Sequence, residues 1–146
     1  MTAAYARVSW DELKTFPQDP LPDDHPWPSR ELFTMRIYSV PLGCEHLAMS
    51  VGHFKPGESL ELHSHGDTEE IYFVLRGQSQ VRIGDEVVEA RELDAFRFPP
   101  ETARSIYNDS DDDCWWLFVG SPRHELLQWM DEVEQRRAAA EQGAVT

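Results

Sequence analysis

Two histidines separated by a single residue are the part of the 146-residue chain best suited to metal chemistry. His63 and His65 lie in a segment with strand-like alternation, so both imidazoles point to one face and can reach one ion. A glutamate from the next strand, Glu69 or Glu70, would add a carboxylate after a short turn. Two imidazoles and one carboxylate bind Fe, Zn, Ni or Mn, and the spacing does not choose among these metals. The residues therefore predict a site for one divalent transition metal.

The residues around this pair resemble the first motif of the cupin superfamily, which reads G-x5-H-x-H-x3-4-E-x6-G. Five residues of the chain match it, namely Gly57, His63, His65, Glu70 and Gly77. The six-residue spacing before Gly77 favours Glu70 over Glu69 as the carboxylate ligand. The resemblance covers residues 32–120 and implies an all-β fold, an antiparallel double-stranded β-helix also called a jelly roll or cupin barrel. It also implies that His63, His65 and Glu70 bind the metal.

The second cupin motif, G-x5-P-x-G-x2-H-x3-N, is half present. Pro99 and Asn108 match it. Leu93 and Glu101 occupy its two glycine positions. Arg104 stands where the family usually has a histidine that serves as the fourth ligand. A guanidinium stays protonated and offers no lone pair, so Arg104 cannot bind the metal.

Strand alternation predicts which side chains line the cavity. Tyr72 shares a face with Glu70, and Asn108 shares a face with Arg104. The predicted substrate-binding residues are Arg104, Tyr72 and Asn108. Two arrangements of Arg104 are open. Its side chain either pairs with a carboxylate such as Glu69 or Glu101, or faces the cavity and binds the carboxylate or phosphate of an anionic ligand.

Two further histidines are candidates for the missing fourth ligand. His53 lies on the preceding predicted strand, and His46 lies at its start. A lone histidine on a strand also commonly serves a structural role, so the sequence does not decide between a metal ligand and a structural residue at either position.

The elements that position these residues follow from the hydrophobic pattern. Short runs rich in Val, Ile, Phe and Tyr predict strands over 32–39, 46–54, 59–63, 70–75, 78–83, 86–89, 95–98, 103–107 and 114–119. After Pro122, apolar residues at spacings of four and three predict a helix over 123–141. The prolines before residue 30 predict an extended arm, with a short helical turn from Ser9, where Ser9–Glu12 resembles a capping box. The predicted organisation is a proline-rich arm (1–31), a barrel (32–120) and a C-terminal helix and tail (121–146).

Composition excludes several classes of function. The 13 Lys and Arg residues against 27 Asp and Glu residues give a formal net charge of −14, and no basic stripe is available for nucleic acid or an anionic membrane. We see no signal peptide and no apolar run long enough to span a membrane. Cys44 and Cys114 form no CxxC pair, which predicts reduced thiols and a cytoplasmic protein.

Two functions of different class fit these features. The first is a metal-dependent enzyme, an oxygenase or a cyclase or isomerase, that acts on a small, neutral or anionic metabolite. The second is a non-catalytic ligand-binding or sensor protein that has lost the fourth ligand. The resemblance further implies a homodimer, with Trp10, Trp27, Phe33 and Trp129 expected on covered surfaces.

Overall fold

The structure is a computed structural model that describes residues 4–17 and 31–145. A 3-10 helix at Trp10–Glu12 precedes eleven strands in these ranges. The strands are β1 (Thr15–Pro17), β2 (Glu31–Leu32), β3 (Thr34–Ile37), β4 (Ala48–Phe54), β5 (Glu58–His63), β6 (Glu69–Arg76), β7 (Ser79–Ile83), β8 (Glu86–Ala90), β9 (Ala95–Phe98), β10 (Arg104–Tyr107) and β11 (Cys114–Ser121). One helix, α1 (His124–Val145), follows them.

The strands form two sheets that face each other across the core. One sheet has the order β1-β3-β4-β11-β6-β9, and the other has the order β2-β5-β10-β7-β8. All pairs are antiparallel except β2 with β5. The inward side chains alternate along β11, where Trp116 is fully buried and Trp115 is half-buried. The predicted all-β jelly roll with a C-terminal helix is confirmed.

Four local predictions differ from the structure. The predicted strand 32–39 is two strands, because β2 pairs in one sheet and β3 pairs in the other, with Phe33 buried at the crossing point. Residues 15–17, expected in the arm, form a strand that pairs with β3. The helix extends beyond residue 141 to Val145. The capping box also fails to form, because the Ser9 side chain makes no cap hydrogen bond.

The residues expected on covered surfaces pack within the chain. Trp10 lies edge-on to Trp115, with ring centroids 5.3 Å apart. Phe33 stacks on Phe54 at 4.4 Å. Trp129 is half-buried against the core, and Trp27 lies outside the described residues. Among the residues that the structure describes, no helix has the length and apolarity that crossing a membrane requires.

The backbone keeps a left-handed conformation at both positions where the second motif has glycine. Leu93 has φ of 72° and Glu101 has φ of 69°. A side chain makes this conformation costly, by about 1–2 kcal/mol per residue. The turns therefore follow the glycine pattern of the motif although neither position contains glycine.

Candidate metal centre

Two strands that are consecutive in the chain but belong to different sheets bring the predicted ligands together. His63 ends β5, His65 follows two residues later, and Glu70 is the second residue of β6. One potential ligand atom from each of the three side chains lies within 4.8 Å of the other two. A glycine on β11 makes room for the carboxylate, since a Cβ at Gly120 would lie 2.9 Å from Glu70 Cγ. The three side chains form a compact set at the end of the barrel.

His63 presents one nitrogen to the site as a lone pair. Its Nδ1 lies 2.9 Å from the backbone oxygen of Glu61, which can only accept, so Nδ1 carries the hydrogen. Nε2 therefore faces the site, 3.3 Å from the Tyr72 hydroxyl oxygen. Burial lowers the pKa of His63 to about 4, which keeps the ring neutral near pH 7. A neutral imidazole with Nε2 free is the form that binds a metal.

His65 lies between two carboxylates. Its Nε2 is 2.8 Å from Glu70 Oε1, and its Nδ1 is 3.0 Å from Glu125 Oε2. Burial alone would lower the pKa of His65, but hydrogen bonds to Glu70 and Glu125 outweigh burial and raise the pKa. For Glu70, burial favours the neutral acid, and His65 and Arg104 outweigh that effect and lower the carboxyl pKa. Glu70 is therefore a carboxylate before any metal binds.

Arg104 forms an ion pair with the predicted metal ligand itself. The side chain is fully buried, and Nη2 donates to Glu70 Oε1. Nε donates to the Tyr72 hydroxyl oxygen at 3.3 Å, and Nη1 donates to the Thr102 carbonyl at 2.8 Å. Of the two open arrangements, the structure has the pairing with a carboxylate. The partner is Glu70, because Glu69 binds the exposed Arg97 instead.

A cavity of about 360 Å³ opens above these side chains. Its walls include Phe33, Met35, Leu60, Phe118, Leu126 and Trp129 as apolar residues, and Glu61, His63, His65, Glu70, Tyr72, Glu125 and Glu132 as polar ones. Tyr72 thus lines the cavity as predicted. Neither Arg104 nor any other arginine or lysine is among the described lining residues.

Residues 50–120 match the family model described as the Cupin domain. This segment is a cupin domain. It contains the three predicted ligands, Arg104 and most of both sheets, whereas the helix α1 lies beyond its end.

Other similarities to the cupin domain are more distant. An uncharacterised protein of Methanocaldococcus jannaschii is 35% identical over 52 residues, which are 36% of this chain and 42% of that protein. A cupin protein of Bacteroides fragilis aligns with a TM-score of 0.62 and 21% identity, covering 83% of this chain and 86% of its own. A sugar phosphate isomerase from a cupin superfamily, from Silicibacter pomeroyi, aligns with a TM-score of 0.65 and 14% identity, covering 79% and 74%. At such identities the solved structures show the fold alone.

Other residues singled out in the sequence lie away from the ligand set. Asn108 is buried and donates to the carbonyls of Phe54 and Asp112, at 2.9 and 2.8 Å, so it holds the acidic loop. Asn108 is not among the described lining residues of the cavity, because it follows the end of β10 that pairs with Ser59, whereas Arg104 lies at the end that pairs with His63.

The two histidines considered as a fourth ligand are also outside the set. His53 stacks on Trp115 with ring centroids 4.0 Å apart, and its Nε2 lies 2.7 Å from Asp113 Oδ2. His46 belongs to neither group of potential metal ligands among the described residues. Among the described residues, the structure therefore brings together three potential protein ligands, with Arg104 paired to one of them.

Glu125 is the residue of the site that the sequence analysis missed. It lies in the first turn of α1, and its carboxylate accepts hydrogen bonds from the backbone N–H groups of Gly66, Asp67 and Thr68 at 3.1, 2.9 and 3.1 Å. Burial would raise its pKa, but these donors together with His65 hold the pKa of Glu125 well below its usual range. The only signal in the sequence is an acid at the start of a predicted helix, which says nothing about the distant histidine.

The donor set fits a divalent transition metal. His63 and His65 can each direct Nε2 to one point, and both Nδ1 atoms have oxygen acceptors that fix the rings. Glu70 has two oxygens, so Oε1 can keep Arg104 while Oε2 binds an ion. The pairing of Glu70 with Arg104 is thus compatible with metal binding, although it lowers the negative charge that the ion meets.

Proposed function

We propose that this protein is a metal-dependent enzyme of the oxygenase type that acts on a small metabolite. The observation that carries the proposal is the convergence of His63, His65 and Glu70 at the base of a cavity with mostly apolar walls. Two imidazoles and one carboxylate with open positions beside them are typical of non-haem Fe(II) oxygenases. A divalent ion bound there would supply Lewis-acid chemistry or, as iron, redox chemistry.

The cavity supports a substrate with an oxygen donor on an apolar body. A volume of about 360 Å³ is at the small end of the range for ligand sites. Arg104 offsets the charge of Glu70, so a dication held by neutral imidazoles would keep nearly its whole charge. A negatively charged oxygen, such as that of a carboxylate, phenol or enol, would then be attracted by the ion rather than by Arg104, while the aromatic and aliphatic walls hold the rest of the molecule.

Tyr72 favours a second candidate, a cyclase or isomerase. Its hydroxyl lies in the cavity near His63 and accepts from Arg104. Burial, with the nearby charge of Glu70, raises the pKa of Tyr72, so the phenol stays protonated and can donate a proton or a hydrogen bond to a substrate oxygen. Proton transfer of this kind needs no redox-active ion, so a protein that selects Zn would fit this candidate. The sugar phosphate isomerase of similar fold is consistent with it.

Metal loading with an oxygen analogue tests the proposal. We expect the purified protein to bind about one Fe(II) per chain without oxygen, and to bind nitric oxide at an open position with the electron-paramagnetic resonance signal of a high-spin adduct. His63→Ala should lose both signals, whereas His53→Ala should keep them. Selective binding of Zn without Fe(II) would favour the second candidate. Failure to bind any of Fe, Zn, Ni or Mn would leave the non-catalytic ligand-binding protein.

We further propose a cytoplasmic homodimer. The exposed apolar side chains of Ile71 and Leu75, on the outer face of β6, support an interface between two copies. Sedimentation equilibrium should give twice the mass of the chain, and a single-chain mass at micromolar concentration would contradict this proposal.

A further inference from the structure

Glu125 connects the C-terminal helix to a metal ligand on the barrel. We propose that Glu125 is a positioning residue, which fixes the ring orientation and tautomer of His65 and thereby couples the docking of α1 to metal binding. This inference rests on the proposed function, since it requires that His65 binds a metal. It concerns a residue outside the cupin domain match, which ends at residue 120.

The carboxylate of Glu125 is held by five donors in one small loop. Oε1 accepts from the backbone N–H groups of Asp67 and Thr68 and from the Thr68 hydroxyl, at 2.9, 3.1 and 3.1 Å. Oε2 accepts from the backbone N–H of Gly66 at 3.1 Å and lies 3.0 Å from His65 Nδ1. Because the loop fixes both oxygens, the carboxylate has a defined position relative to the imidazole ring.

This position determines which nitrogen of His65 carries hydrogen when a metal binds. Oε2 of Glu125 can only accept, so it keeps a hydrogen on Nδ1. Nε2 is then left to give its lone pair to the ion. A carboxylate that accepts from the distal nitrogen also increases the basicity of the ligating one, and loss of such a partner costs about 10- to 100-fold in metal affinity.

The same contacts attach α1 to the barrel. The Thr68 hydroxyl, whose one hydrogen is shared between two acceptors, also lies 3.1 Å from the Pro122 carbonyl oxygen, and His124 Nε2 lies 2.8 Å from Asp67 Oδ1. α1 in turn contributes Leu126 and Trp129 to the cavity wall. A change that strengthens the hydrogen bond between His65 and Glu125 should therefore also strengthen helix docking, and the coupling must act equally in both directions.

Two substitutions distinguish this role from a purely structural one. In Glu125→Gln, the amide oxygen should replace Oε1, where three donors point, which places the amide nitrogen beside His65 Nδ1. That nitrogen donates, so it favours hydrogen on Nε2, the tautomer that cannot bind the metal. Glu125→Ala loses all five hydrogen bonds but leaves Nδ1 to water. The proposal therefore predicts crossed rankings: stability falls from wild type to Gln to Ala, whereas metal affinity falls from wild type to Ala to Gln.

Zn(II) titration with a competing chelator measures the affinities, with Glu134→Gln as the matched control. Glu134 is exposed on the same helix, so its substitution makes the same charge change away from His65. We expect Zn binding about 10- to 100-fold weaker in Glu125→Gln than in the control. An affinity equal to that of the control, or an Ala variant weaker than the Gln variant, would overturn the inference.

A second measurement does not depend on comparing stabilities. In Zn-loaded wild type, nitrogen-15 NMR should detect the His65 Nδ1 hydrogen as a slowly exchanging, downfield signal, and this signal should be absent from Glu125→Gln. Zn should also slow amide hydrogen exchange in the first turns of α1 in wild type only. An unchanged NMR signal in the Gln variant would contradict the proposed contact.

The outcome for the proposed function remains separate. If wild type binds Zn and His63→Ala does not, while the Glu125 variants match the control, the metal centre stands and only the role of Glu125 is wrong. If wild type binds none of Fe, Zn, Ni or Mn, the proposed function and this inference both fail.

Discussion

Replacement of Arg104 by glutamine should change stability and metal affinity in opposite directions. The Arg104 side chain has no solvent exposure and that of Glu70 is only 14% exposed, so the substitution leaves a buried carboxylate without its strongest partner. Breaking a buried ion pair in this way costs about 3–5 kcal/mol. The metal-free protein should therefore unfold at lower denaturant concentration than wild type.

Arg104→Gln should strengthen metal binding although it lowers stability. A dication about 5 Å from a guanidinium, at an effective dielectric of about 20, is repelled by about 6–7 kcal/mol. Arg104 also occupies Oε1 of Glu70, which the substitution makes available. Recovery of only a quarter of the repulsion, about 1.5 kcal/mol, would tighten Zn binding about tenfold. Zn should therefore stabilise the variant more than it stabilises wild type.

The assay combines chelator-competed Zn titration with urea unfolding in the presence and absence of Zn. Arg97→Gln is the matched control. Arg97 forms an ion pair with Glu69, which precedes Glu70 on β6, and the side chains of Arg97 and Glu69 are 65% and 55% exposed. It should change stability by less than about 1 kcal/mol and leave Zn affinity unchanged. If Arg104→Gln folds only with Zn, the Zn dependence of folding gives the affinity. Weaker Zn binding than in wild type would refute the reasoning, and would mean that Arg104 supports the ligands instead of opposing the ion.

Three further substitutions test separate parts of the structure. Gly120→Ala should destabilise the protein by about 1–3 kcal/mol and weaken Zn binding, because its Cβ would lie 2.9 Å from Glu70 Cγ; an unchanged Zn titration would count against this packing. Leu93→Gly should raise the free energy of unfolding, measured by urea denaturation, by about 1 kcal/mol, because glycine adopts the left-handed conformation of residue 93 without strain. The leucine side chain is 68% exposed, so its loss removes little packing, and a lower stability would show that the conformation costs little. His53→Ala should leave Zn affinity unchanged by calorimetry, because this ring packs on Trp115; a large loss would place His53 in the metal site.

The ligand set could be predicted because its geometry is local. His63 ends β5, His65 follows two residues later, and Glu70 is the second residue of β6, after a short turn. Alternation within one strand fixes the face of each side chain, so spacing alone brings the imidazoles together. The same alternation over residues 32–120 predicted most strands and the all-β fold.

The partners of these ligands could not be predicted, because they depend on contacts between distant parts of the chain. Glu125 meets His65 from 60 residues away, and Arg104 meets Glu70 from 34 residues away. Neither distance is encoded by a local period. Asn108 is fully buried like Arg104, but it lies beyond the opposite end of β10, and strand alternation does not report this separation along the strand.

Residues of the barrel and residues of α1 together line the cavity. Its floor belongs to the barrel, where His63, His65 and Glu70 lie on strands or the turn between them. Part of its wall belongs to α1, where Leu126 and Trp129 face the same space from one helix. Substitution at these two helix positions can therefore alter the size and shape of the molecule that fits, while the proposed ligands on the barrel stay unchanged. Because Glu125 lies on the same helix and contacts His65, only substitutions that keep the position of Glu125 would leave the proposed metal centre undisturbed.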